Sequence, residues 1–473
     1  LYFPEIEVGE VADVTVLKQG LVQGDYGLPD IEEGGELSRR LYEERLRLIF
    51  DAHGSAKTII PERAGHATKI FIDYLSKYIE PYVVEFSAEN LTEAFLNEEL
   101  NKTPGGDLAN WFKSKREIPH DVFLRYCEAY QQGTYVPWQG VKPKPELRGM
   151  KNGKVKAPRL FYPGDLITNV HQRVLFGPIM TALTDCPAVF IGKTDSYGGW
   201  HSFISEGADG WKVNQDCHFY DWSNQDISIG HVIPWVVSAL LHFVRLGVGE
   251  SVDYNDLANR IVKDIVFPYF KFCFRFGRRS VSFGLRLHLL GSGMYLTLLL
   301  VTMCALWAHI YLSVELYRLT AANLMSELKL RIMGDDCLRR TALDVETMQS
   351  FGVSFDHQVD KVQNLKFCNR KLAFVNFRGM VRCIALPDLK KLQFSLQLKP
   401  ERVKEYCSAS ELFGRLKSYA AHAYAWKMVG QPSFWDKIMS AMTRLRDANK
   451  AMGAYHKWEM PTEQKCRSLV LGL

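Results

Sequence analysis

Leu328, Leu330 and Ile332 alternate with Lys329, Arg331 and Met333. A period of two marks a strand with one buried face. Gly334, Asp335 and Asp336 follow, and Cys337 and Leu338 then resume a short strand. The pattern predicts a β-hairpin with Gly334, Asp335 and Asp336 at its tip, where a residue without Cβ suits a tight turn. Residues 217–222 (CHFYDW) also read as a strand, 277–290 alternate in part, and 367–384 read as a pair of strands. Helical spacing dominates 36–75, where basic residues punctuate an apolar stripe, and also 227–246, with Pro234 as an early interruption. A short helix over 343–352 ends in glycine, and 400–457 is strongly helical. Between these, 1–35 is acidic and glycine-rich, which predicts an extended arm, and 101–107 (NKTPGGD) is a breaker-rich loop. Residues 142–158 (KPKPELRGMKNGKVKAP) lack periodicity and predict a basic loop.

Residues 294–314 contain no Asp, Glu, Lys or Arg, and by length they could span a bilayer. Thr297, Thr302, His309 and Ser313 weaken that reading. A single span would also put Asp221 and Asp335 on opposite sides of a membrane. A buried helix, apolar all round, is the expectation, with no membrane span. A mixed centre between helical ends places the chain in the α+β class.

With 473 residues, 47% of them hydrophobic, the chain can bury a large core in two or three lobes. An aromatic content of 12% argues against global disorder. The net charge of +5 suits a nucleic-acid channel within a mixed surface, and equally an ordinary enzyme. No two of the ten cysteines have CxxC spacing, which argues against zinc and for reduced thiols in an intracellular setting. No secretory signal pattern opens the sequence.

Candidate chemistry begins with the hairpin. Adjacent carboxylates repel, and a divalent cation offsets the repulsion; Mg²⁺ prefers one or two carboxylates with waters and phosphates. Alone, Gly-Asp-Asp is equally a polar turn. Asp221 ends the strand CHFYDW, and Asp226 begins the next helix, where an acidic residue also suits the helix dipole. Gly291, Ser292, Gly293 and Thr297 form a flexible hydroxyl-bearing loop before the apolar helix, or a capped helix start. Lys151, Lys154, Lys156 and Arg159 could neutralise a triphosphate, or form a solvated surface.

The order basic loop, DWSNQD, GSGMYLT, MGDD and a strand pair resembles the viral RNA-dependent RNA polymerases, most closely those of partitiviruses and picobirnaviruses, small double-stranded RNA viruses. The resemblance covers roughly residues 151–384. It implies a right-hand fold with an antiparallel palm sheet and largely helical fingers and thumb. Its expected divisions are an arm over 1–35, fingers over 36–219, palm over 220–246, a return to the fingers over 247–290, palm over 291–385 and thumb over 386–473. It implies two Mg²⁺ ions, replaceable by Mn²⁺, on Asp221 and Asp335, with Asp336 a weaker ligand and the Trp222 carbonyl a further one. Lys156 and Arg159 would grip the triphosphate, and Asp226, Ser292, Gly293 and Thr297 would complete the nucleotide site. Lys361 would act as general acid, with Lys366 as rival, and FCNRK (367–371) would support the primer strand.

The partners implied are RNA template and product strands, ribonucleoside triphosphates and a viral capsid protein, inside the virion or in the host cytoplasm, for genome replication and transcription. One departure is Val301, where these enzymes usually carry Asn or Asp to read the ribose 2′-hydroxyl. Another Mg²⁺-dependent phosphoryl-transfer enzyme, such as a nuclease, would share the acidic cluster without needing the SG loop or the basic loop. A reverse transcriptase is disfavoured by Gly334 in place of a bulky residue. A catalytically silent RNA-binding, capsid-associated protein is disfavoured by the intact aspartates.

Overall fold

The computed structural model describes the strands Val22–Gln23 and Tyr26–Gly27, then residues 43–396, 409–448 and 458–473, with short breaks at 45, 53–56, 145, 147, 157–158, 250–251 and 277–278. Most of the expected N-terminal arm lies outside the described residues. Its two short strands pair with each other, and Tyr26–Gly27 pairs antiparallel with Arg148–Lys151. The expected basic loop is therefore sheet: Arg148–Lys151 turns back antiparallel onto Lys154–Val155, and Lys142–Pro143 pairs with Leu160–Phe161.

Among the helices of the body are α1 (Pro61–Leu75), α2 (Leu166–Ala182), α3 (Ile233–Leu241), α4 (Thr297–Tyr311) and α5 (Val345–Phe351). They surround a sheet of β1 (Asp216–Trp222), β2 (Arg331–Met333), β3 (Asp336–Arg339) and β4 (Phe355–Lys361). The spatial order is β2-β3-β1-β4, and every pairing is antiparallel. Alternation along β1 and β3 divides their side chains between two cores. Cys217, Phe219 and Leu338 enter one; Tyr220, Trp222 and Cys337 enter the other, with the helices.

Helix α4 is buried on nearly every side, as its all-apolar pattern requires. Trp307 stacks on Trp235 of α3 at 6.0 Å and donates its indole N–H to Thr68 of α1 at 2.9 Å. Its polar residues have specific partners. Thr302 accepts from the Gly334 N–H at 3.2 Å, and His309, with Ser313 just beyond the helix, accepts from the fully buried Arg339 at 3.1 and 2.8 Å. Among the described residues, no helix is long and apolar enough to cross a membrane.

Several expected elements differ in extent. The helix expected over 227–246 is divided into Gln225–Ser228, α3 and the strand Val244–Leu246, which pairs in parallel with Tyr82–Val84. Pro234 sits in the first turn of α3, where its missing N–H breaks no helical bond. The strand expected from Leu328 begins only at Arg331, because a helix over Leu324–Leu328 ends on Lys329 at φ 50°. The expected boundary at 219/220 cuts β1. That at 385/386 cuts the last strand of a three-stranded sheet: Lys366–Phe367, β5 (Arg370–Phe377) and β6 (Met380–Pro387). Beyond it, α6 (Ala409–Met428), α7 (Ser433–Ala448) and α8 (Glu463–Leu471) enclose a core of their own around Phe434, Trp435 and Met442.

Candidate active site

Met333 pairs with Asp336, so the hairpin loop is just Gly334 and Asp335. Gly334 has φ +66° and Asp335 does not share the positive φ, the pattern of a type II′ turn. The sequence expectation put both aspartates at the tip. Asp335 is there, open to solvent, but Asp336 is the first residue of β3 and nearly buried. In the sheet Asp336 lies directly opposite Asp221, which lies opposite Asp356. The Trp222 N–H donates to the Asp335 carbonyl at 3.1 Å, drawing the tip over the end of β1. One carboxylate oxygen from each of Asp221, Asp335 and Asp336 lies within 4.8 Å of the others.

Crowding disfavours charge in this cluster. Burial first, then Asp335 and Asp356, pushes Asp221 up to about 6. Burial, Asp335 and Asp221 push Asp336 up to about 7, against a backbone N–H donated by Cys368. Asp335 is also raised by burial, with Arg159 opposing. Its exposure and its desolvation are compatible, because it lines a cleft and protein atoms surround it there. Three converging carboxylates with raised affinity for protons are a donor set suited to hard divalent cations.

The cleft has a volume of about 840 Å³. Asp221 and Asp335 lie on its floor, and Lys156, Arg159, Asp226, Ser292 and Thr297 line it. Asp226 stands on the short helix Gln225–Ser228, entered through Asn224 at φ 48°. The Ser292 Oγ accepts from the Tyr162 N–H at 3.1 Å, which leaves its own O–H to donate. Thr297 instead donates to the Gly291 and Met294 carbonyls at 2.7 and 2.8 Å, so here it braces its own loop. Gly293 is not on the cleft wall: a Cβ there would meet the Tyr162 carbonyl oxygen at 2.1 Å. Val301 lines the cleft, and its carbonyl accepts from Gln225 at 3.0 Å. The Trp222 indole is buried against Ser228, so only the Trp222 backbone adjoins the acidic cluster.

Arg159 donates two guanidinium N–H groups to Glu146, one at 2.7 Å, and Lys144 and Arg148 approach the same carboxylate at 3.5 and 3.7 Å. Burial raises the Glu146 pKa, but these cations outweigh it and hold the carboxyl below its ordinary value. Lys361 is not brought to the site. It pairs with Asp216 at 2.8 Å and lies opposite it in the sheet, whereas Asp221 lies opposite Asp356. Five strand positions separate the two ends, about 17 Å. Lys366 is exposed on its short strand, and it is the Cys368 backbone after it that reaches Asp336.

Asp356, Glu146, Asn169 and Cys368 were not apparent as site residues from sequence. Glu146 lies among the lysines of 142–158 and could have been noticed as their acidic exception. The others act through pairing or backbone groups that leave no local signal.

No family model matches the sequence, and no curated protein matches it. In three dimensions the chain is similar to the solved Sicinivirus 3Dpol RNA dependent RNA polymerase, with a TM-score of 0.63 and 16% identity over 84% of each chain. At that identity the likeness carries the fold. The chain has a right-hand polymerase fold of mixed helix and sheet, and the β2-β3-β1-β4 sheet with its acidic end is the palm.

Proposed function

We propose that the chain is an RNA-dependent RNA polymerase, a nucleotidyltransferase that adds ribonucleotides under the direction of an RNA template. One observation carries the reading: three carboxylates converge, and two of them, Asp221 and Asp335, line a cleft that Lys156, Arg159 and Ser292 also line. The polymerase fold supports it. A nuclease needs the acids but not a cationic and hydroxyl-bearing wall facing them.

Asp221, Asp335 and Asp336 would hold the divalent cations, Mg²⁺ with Mn²⁺ as a substitute. Bound there, such ions lower the pKa of the attacking 3′-hydroxyl and neutralise the departing pyrophosphate. Arg159 and Lys156 neutralise the incoming triphosphate, Arg159 through the planar fork that now holds Glu146. Ser292 and Asp226 face the ribose. Lys361 has no part in this scheme, because β4 carries it to the far end of the palm. Base pairing with the template selects the nucleotide, while the protein holds RNA by backbone charge and stacking. A double-stranded RNA virus, the partitivirus and picobirnavirus affinity, a capsid partner and a site in the virion or host cytoplasm belong to this proposal on the sequence motifs alone.

The test is extension of a primed or unprimed RNA template by ribonucleotides with Mg²⁺. Incorporation that is lost in Asp335→Asn supports the reading. Degradation of the RNA, or template binding with no incorporation under any divalent cation, would replace it with the nuclease or the silent binding protein.

A further inference from the structure

The loop that carries Ser292 has no regular structure of its own, yet its position is fixed from outside. Asn169, on the first turn of α2 and only 8% exposed, spans it. Its Nδ2 donates to the Gly293 carbonyl at 3.3 Å, and its Oδ1 accepts from the Tyr295 N–H at 2.9 Å. One partner only accepts and the other only donates, so the amide orientation is determined by the contacts. Asn is a poor helix former, and its place here is explained by these bonds rather than by α2.

The same loop is pressed against the segment that follows Arg159. Pro163 and Gly293 form a parallel β-bridge. A Cβ on Gly164 would meet the Gly293 carbonyl oxygen at 2.1 Å and the Asn169 Nδ2 at 3.0 Å. The Tyr162 N–H holds Ser292 Oγ from the same segment. Asp165, which caps α2 by accepting from the Ile167 N–H at 2.9 Å, anchors the helix start beneath it. The phosphate side of the cleft and the hydroxyl side thus share one support, the stretch Tyr162–Pro163–Gly164–Asp165 and the first turn of α2.

We propose that Asn169 is a specificity-determining positioning residue: its amide straps the Gly291–Thr297 loop so that the Ser292 hydroxyl is presented to the ribose of the incoming nucleotide in register with Arg159. This rests on the polymerase reading. Val301 offers no polar group to a 2′-hydroxyl, and Thr297 is spent on its own loop. Beside Asp226, ribose recognition therefore depends on where Ser292 stands, and a hydroxyl on a two-glycine loop stands where the loop is tied.

Asn169→Asp is nearly isosteric. It keeps the acceptor for Tyr295 but sets an oxygen against the Gly293 carbonyl. Gly164→Ala sets a Cβ 2.1 Å from the same carbonyl oxygen, which must then move. Both variants and the native protein are compared in two measurements. Amide hydrogen exchange over 291–297, without RNA or nucleotide, should be faster in both variants, and unchanged exchange overturns the strap. The ratio of kcat/KM for a ribonucleotide to that for its 2′-deoxy analogue should fall about tenfold, the worth of one to two hydrogen bonds. RNA affinity should stay within about twofold, as that surface is not involved. An unchanged ratio with faster exchange overturns the specificity role, as does an equal loss on both nucleotides. A native protein that incorporates neither nucleotide removes the polymerase reading and the ribose role with it, while the exchange measurement still decides the strap.

Discussion

Asp336 is the residue at which the palm's geometry is most visible as chemistry. Its carboxyl ionises only near pH 7, far above the ordinary 3.8, because burial and two neighbouring carboxylates oppose its charge. A folded-state pKa raised above the unfolded one contributes stability that is whole below about pH 4 and is lost as pH rises through about 7. The metal-free protein should therefore lose a few degrees of melting temperature between about pH 5 and 8 from this cluster. Asp336→Asn should flatten that dependence and raise the melting temperature at the alkaline end. Added Mg²⁺ should stabilise the native protein at about pH 8 and hardly at about pH 5.5, since protons and cations compete for the same oxygens. A melting temperature that rises with pH in metal-free buffer would contradict this. Asp221→Asn and Asp335→Asn should each abolish incorporation while RNA affinity, read by filter binding, stays nearly native.

At the wall of the cleft, Arg159→Ala should weaken nucleotide binding about ten- to a hundredfold, the value of a charge-assisted bidentate contact. Lys156→Ala should act in the same direction but less. Glu146→Gln should shift nucleotide affinity the opposite way, because Glu146 occupies the fork that a triphosphate needs. Titrating nucleotide at saturating RNA measures all three. Arg159→Ala with native nucleotide dependence and weaker RNA binding would move this segment to the template path.

Among elements, the β2-β3 hairpin can be tested at its turn, where single contacts are separable. A Cβ at Gly334 would touch nothing closer than Val301 Cγ1 at 3.9 Å, so the cost of Gly334→Ala is conformational. A left-handed φ costs an ordinary residue about 1–2 kcal/mol. Asn tolerates that region better, so Gly334→Asn should lose less. Thr302→Val keeps the shape of α4 but leaves the Gly334 N–H without its acceptor, at about 1–3 kcal/mol. Denaturant midpoints should rank the three, with Gly334→Asn mildest. A Gly334→Ala protein as stable as the native one would mean the turn had rebuilt itself.

For the molecule as a whole, the helical C-terminal lobe has a core distinct from that around α4. It is tied to the rest through β6, where the Trp426 indole donates to the Pro387 carbonyl at 3.0 Å, and through α8, whose Leu469 carbonyl accepts from the Tyr197 N–H at 2.7 Å. Phe434 is completely buried in that separate core, so Phe434→Ala should cost about 3–5 kcal/mol there. Calorimetry should show an early thermal transition splitting from the main one. A single transition shifted as a whole would mean that the two cores unfold together.

Period-two alternation and a glycine before two aspartates were enough to predict the hairpin, because strand faces and turn chemistry are local properties of the chain. The all-apolar run before it likewise predicted a buried helix, although where its polar residues would find partners was not legible. The order of the acidic, hydroxyl and basic motifs predicted the polymerase fold, which the likeness to a solved polymerase bears out. Other features depended on pairing between distant segments. Lys361 reads as a well-placed lysine until the register of β4 against β1 puts it opposite Asp216. Asp336 looks like a tip residue until the ladder buries it opposite Asp221. Asn169, Cys368 and Asp356 carry no local mark, because what they do is defined by a group distant in the chain: a loop carbonyl 124 residues from Asn169, a carboxylate 32 residues from Cys368, and Asp221 across the sheet from Asp356. Local periodicity is written in neighbouring side chains, whereas register and loop support arise only when separate cores close around them.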